Sequence, residues 1–136
     1  DYKMNSRGSR KGSKKSDIWT TKRADREASL YVRKRDNDTC VLCGKSEPYV
    51  TIDCSHFWGR KVSATRYHPD NIDSVCRGDH FKVENAKQGF YRDWKLNQLG
   101  EKKYKELEDL YYKSKMTRRQ AIIKLMELLN AKSTSV

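Results

Sequence analysis

Apolar residues recur along this chain with two different periods, and each change of period marks an element. Ala24, Ala28, Tyr31 and Val32 share one helical face with charges opposite, which predicts a helix from about 17 to 35. Val50, Ile52, Cys54 and His56 then alternate with Thr51, Asp53 and Ser55. A period of two predicts a strand with the apolar set and the histidine on one face. IDSVC (72–76) reads as a short second strand, and DHFKVENAKQGFYRDWKLNQL (79–99) as a helix with Phe81, Phe90 and Trp94 on one side. Gly100 suits its C-cap. Two more helices follow, at about 101–113 and about 117–131, the second with Thr117 as N-cap and Ala121, Ile122, Leu125, Leu128 and Leu129 as its buried stripe.

The segments between these elements are polar. DNDTCVLCGKSEP (36–48) is a turn-rich knuckle, stopped by Pro48, and WGRKVSATRYHPDN (58–71) is a basic loop. Residues 1–15 are rich in Gly, Ser, Lys and Arg without apolar periodicity and predict a flexible basic arm, of which the first three, ahead of Met4, read as an appended remnant. The expected organisation is a small α+β domain: a helix and core over 16–99, then a helical C-terminal extension over 100–136.

Composition adds a constraint on stability and one on partners. In 136 residues only 35% are hydrophobic and the mean hydropathy is −1.04, so the core is small and calls for a staple. Thirty Lys and Arg against eighteen Asp and Glu give a net charge of +12, a field that draws polyanions. Membrane is the weaker partner, because no apolar run approaches the roughly 20 residues of a span. No export signal is evident, so the expectation is a soluble, cytoplasmic protein.

That compartment disfavours disulfides between Cys40, Cys43, Cys54 and Cys76, and a Cys-x-x-Cys pair without a thioredoxin-like βαβ context points to metal. Cys40, Cys43 and Cys76 bring three thiols to two knuckles. A tetrahedral structural Zn²⁺ wants a fourth ligand beside Cys76. In CRGDH (76–80), Asp79 occupies the Cys-x-x-X slot, with His80 and Cys54 as rivals. The expectation is Cys40, Cys43, Cys76 and Asp79. Hydrolysis of a phosphodiester needs a base for water and a cation for the charge on phosphoryl and leaving oxygens, and Asp53, His56 and His80 supply that set.

The order of Cys-x-x-Cys, a strand ending in His, a loop with Asn, a second cysteine knuckle and a helix resembles the HNH (ββα-metal, His-Me finger) nucleases. YVRKRDNDTCVLCG, DCSH, RYHPDNIDSVC and YRDWKLNQLGEKKYKELEDL are similar to the phage NinG (Rap) recombination endonucleases, over roughly residues 17–130. The resemblance implies a zinc-stapled ββα-metal core and cleavage of branched DNA (Holliday junctions or D-loops) to 5′-phosphate and 3′-hydroxyl ends, in the host cytoplasm for a phage protein. It implies His56 as general base, Asn71 as the residue pinning the loop, and His80 with Asp53 as ligands of a catalytic Mg²⁺ or Mn²⁺. Two departures stand out: Asp79 replaces an expected cysteine, and Asp53 lies at −3 from the base where many such enzymes place a ligand at −1.

Arg60, Lys61 and Arg66 flank this set and are expected to touch phosphates. Trp58 is the aromatic best placed to stack on an unpaired base, His68 reads as a loop residue, and paired cuts across a junction would want a two-fold homodimer. The rival reading is a non-catalytic zinc-knuckle protein that binds nucleic acid through charge alone.

Overall fold

The computed structural model describes residues 17–85 and 88–134, so the expected basic arm lies outside the described residues. The first helix, α1, is Thr21–Arg35. It starts later than the apolar spacing suggests because Thr20 caps it: the Arg23 backbone N–H donates to Thr20 Oγ1 at 3.1 Å. Its small residues Ala24 and Ala28 and its Val32 are buried, and Arg33, Lys34 and Arg35 oppose the dipole of the last turn. Asn37 and Asp38 then take φ of 57° and 51°, a left-handed step that short polar side chains tolerate, and the chain reverses into the knuckle.

Strands β1 (Ile52–His56) and β2 (Ile72–Cys76) form a two-stranded antiparallel sheet. Its register pairs Ile52 with Cys76, Cys54 with Ser74 and His56 with Ile72. Val50 lies outside the ladder, so the alternating run is longer than the strand it forms. All of β2 is buried. The basic loop holds a single helical turn, α2 (Ser63–Arg66), and a 3-10 turn, Pro69–Asn71.

α3 (Arg77–Asn85) leaves β2 without a linker, and α4 (Gln88–Leu99) follows within the stretch 79–99 expected to be helical. The apolar face expected there is displaced. Phe81 and Phe90 are exposed, whereas Val83, Tyr91 and Lys95 are buried. Gly100, at φ +84°, closes α4 through its N–H to the Leu96 carbonyl and opens α5 (Glu101–Lys113). α6 (Arg118–Thr134) begins with a capping box, in which Gln120 N–H donates to Thr117 Oγ1 at 3.1 Å and Thr117 N–H to Gln120 Oε1 at 2.9 Å.

α6 packs back on α1, and Ala121, Ile122 and Leu125 join Ala24, Ala28, Val32, Tyr67 and Ile72 in one core cluster. A second, smaller cluster at the other end of the sheet holds Cys40, Ile52, Val75 and Cys76. Among the described residues no helix is long and apolar enough to cross a membrane.

Candidate metal centre and the adjoining clefts

The first knuckle is a tight backbone loop: Cys40 N–H donates to the Lys45 carbonyl at 2.8 Å and Gly44 N–H to the Cys40 carbonyl at 2.9 Å. Gly44, at φ +82°, makes that turn without strain. Val41 N–H donates to the Ser74 carbonyl at 2.9 Å, which fastens the knuckle to β2. The second knuckle is the junction of β2 and α3, where Asp79 N–H points to Cys76 Sγ at 3.4 Å.

Together they converge Cys40, Cys43, Cys76 and Asp79, whose ligand atoms all lie within 4.8 Å of one another, a group that can hold a metal ion. Cys40 Sγ is 3.5 Å from Asp79 Oδ2, and Cys43 Sγ is 3.8 Å from Cys76 Sγ. Of the three rivals for the fourth position, Asp79 is the one in the group. His80, one residue on, turns instead to Asp53, and Cys54 packs against the α1 and α6 core. The thiols crowd one another. The Lys45 backbone acts to lower the Cys43 thiol, but desolvation and contacts with Asp79, Cys40 and Cys76 outweigh it and push it up to about 12.

Beyond the group, Asp53 Oδ2 lies 3.3 Å from His80 Nδ1. Arg77 donates to the same carboxylate twice, Nη2 to Oδ1 at 2.8 Å and Nε to Oδ2 at 3.3 Å. The Arg77 hydrogen bonds, with His80 and against partial burial, hold Asp53 below the usual carboxylate range. His56 ends β1 and is largely enclosed. Burial, then the charges of Arg60 and Arg66, push its imidazole down to about 4, so the ring is neutral and a proton acceptor at pH 7. Asp53, His56 and His80 line one cleft of about 500 Å³, with Asp25 and Arg60 on its walls.

Asn71 is fully buried and its amide bonds on both sides. It accepts from the Trp58 N–H at 2.8 Å and donates to the carbonyls of Trp58 and Thr65, both at 2.9 Å. These bonds tie both sides of the basic loop to the start of β2. The three flanking cations diverge. Arg60 and Lys61 are exposed, but Arg66 is internal: its Nε and Nη2 donate to Asp25 at 2.9 and 2.7 Å, and its side chain is only 12% exposed. Arg66 thereby ties the loop to α1. Trp58 stacks on Tyr111, ring centroids 4.7 Å apart, and His68 accepts the Asp70 N–H at the start of the 3-10 turn.

One constellation escaped the sequence reading. Lys95 and Asp73 are both buried; Lys95 Nζ lies 2.8 Å from Asp73 Oδ2 and donates to the Asp70 carbonyl at 2.7 Å. Tyr91 donates to the same Asp73 oxygen at 2.7 Å. Burial raises the Asp73 carboxyl and lowers the Lys95 amine, each resisted by the charge of the other. A lysine in a charged helix carries no sequence mark of burial. Comparison of the chain with protein-family models, with curated proteins and with solved structures finds no match.

Proposed function

We propose that this protein is a metal-dependent DNA endonuclease that hydrolyses phosphodiester bonds next to branches, with a structural Zn²⁺ at Cys40, Cys43, Cys76 and Asp79. Zinc suits that donor set, since three thiolates and a carboxylate are common tetrahedral ligands. With Zn–S near 2.3 Å and Zn–O near 2.1 Å, tetrahedral edges are about 3.8 Å between sulfurs and about 3.6 Å between sulfur and oxygen. The separations of 3.8 and 3.5 Å in the group match them.

The observation that carries the catalytic half is the convergence of His56, Asp53 and His80 on one cleft. Asp53 and His80 would hold a Mg²⁺ or Mn²⁺, which when bound offsets charge on the phosphoryl and leaving oxygens. His56, neutral at pH 7, accepts the proton of the attacking water. Asn71 fixes the loop that follows His56, while Arg60 and Lys61 meet the backbone phosphates and read no sequence. A net charge of +12 supports a polyanionic partner. Paired cuts at a junction would require a two-fold dimer.

The rival, a zinc-knuckle DNA-binding protein without catalysis, has one observation in its favour: Arg77 already occupies both oxygens of Asp53. Supercoiled plasmid with Mg²⁺ or Mn²⁺ separates the two. The wild type is expected to nick it and to cut a four-way junction faster than linear duplex, and His56→Ala to abolish cleavage while metal content and DNA affinity stay near wild type. Unchanged turnover in His56→Ala sinks the role of His56. DNA binding by the wild type without cleavage in either metal leaves the rival standing.

A further inference from the structure

His56, Gly59 and His80 line two clefts, not one. The first, described above, is charged. The second, of about 590 Å³, is aromatic: Phe57, Trp58, Tyr91 and Tyr104 form its walls and Arg92 stands among its lining residues. Its size is within the usual range for a small-molecule site, roughly 300–1,000 Å³.

The rings brace one another. Phe57 meets Trp58, Tyr91 and Tyr104 edge to face, with centroids 5.3, 5.1 and 5.8 Å apart, and Tyr91 is anchored by its hydroxyl on Asp73. A ligand entering here orders little that is not ordered already. Gly59 and Gly89 are open, with no atom of the described residues within 4 Å of where a Cβ would stand.

We propose that this aromatic cleft is a subsite for a single unpaired nucleobase, whose adjoining phosphodiester lies in the charged cleft across His56 and His80. The proposal rests on the DNA-cleaving reading for its phosphate site and extends it to the substrate. Bases of any identity stack on aromatic rings, and a chain with a net charge of +12 draws the strand that carries them. The two clefts share His56, Gly59 and His80 as lining, so a nucleotide bound across them would place its base in one and its phosphate in the other. A base paired in a duplex cannot do so without leaving the stack, whereas one at a flap, gap, bulge or branch is already released. Preference for branched DNA then comes from the nucleotide beside the cut, without recognition of the whole junction.

The test uses the full chain without added divalent cation and three short duplexes. One carries a single bulged 2-aminopurine, one an abasic bulge at the same place, and one is fully paired. The bulged base should bind roughly tenfold more tightly than the abasic bulge, the scale of one base–aromatic stack, and its emission should fall on binding. Tyr104→Leu should remove both the preference and the quench, Tyr104→Phe should keep both, and Tyr49→Ala, an exposed aromatic outside the cleft, should change neither. Equal affinity of the wild type for the base and abasic bulges overturns the subsite, whatever the variants do. Plasmid cleavage with Mg²⁺, measured in parallel, keeps the two readings apart. Cleavage without base preference removes the subsite alone, and base preference without cleavage removes the nuclease and leaves the subsite.

Discussion

The two ends of the β1–β2 ladder are held by different means. At the Ile52–Cys76 end, Cys40, Ile52, Val75 and Cys76 are the residues buried together among those described, and Cys43 is exposed. At the His56–Ile72 end, Ile72 joins seven other buried side chains from α1, α2's flank and α6, and Lys95 locks α4 onto Asp73. Four buried residues, with Val41, Leu42 and Val50 packed against them, remove little apolar surface, so an ion on the four ligands proposed above would add most at that end. The helical end packs without one. On the proposed reading, loss of that metal is a local event, and the His56 end of the ladder keeps its packing without it.

The strongest way to break the comparison is to remove the metal. A structural zinc contributes on the order of 10 kcal/mol to the fold that binds it. Chelation should therefore release the Cys40 and Gly44 amides to hydrogen exchange while those of Val32 and Leu125 stay protected. Uniform loss of protection would mean that the two ends are one cooperative unit. In the same experiment Asp79→Asn should lose metal more readily than the wild type, whereas His80→Ala should retain it.

The packed end is probed by Lys95→Met. Removing the lysine leaves buried Asp73 with only Arg35, 3.8 Å away, as a cationic partner among the described residues, at a cost of up to about 3–5 kcal/mol in denaturant unfolding. The metal content should not change. Pairing it with Asp73→Asn should recover part of the loss, and a cost below about 1 kcal/mol would show that packing alone secures this end.

A smaller effect sharpens the comparison at His56 itself. His56 titrates near 6.5 when unfolded and at about 4 in the fold, so between these values the unfolded chain binds the extra proton. Stability from this residue is fully present above pH 6.5 and is lost as pH falls through about 4, to a total on the order of 3 kcal/mol. His56→Gln should flatten the stability profile over that window by a comparable amount. Parallel profiles for the two proteins would show that His56 is well solvated.

Those parts of the molecule that local chemistry dictates were legible in the sequence. Each Cys-x-x-X spacing marks a turn able to present two ligands, Cys40 with Cys43 and Cys76 with Asp79, and Thr117 announces α6 because an N-cap acts within three residues. What escaped depends on partners far along the chain. Arg66 looks like any loop cation until Asp25, 41 positions away, takes its guanidinium. Phe81 and Phe90 look like core by hydrophobicity, yet α4 turns Tyr91 and Lys95 inward because Asp73 on the buried strand needs them. A polar demand from another element outranked the apolar pattern, which no count of helical periodicity contains.

The five-rung register has a consequence for how the chain can vary in length. Cys76 and His56 belong to opposite ends of the same ladder, four steps or about 13 Å apart, so the strands act as a ruler between the metal group and the histidine. One residue inserted within 52–56 would shift that distance by a rung and change the face His56 presents relative to Ile52, and one within 72–76 would do the same to Cys76 relative to Ile72. The ten strand positions must therefore keep their number even where their identities drift.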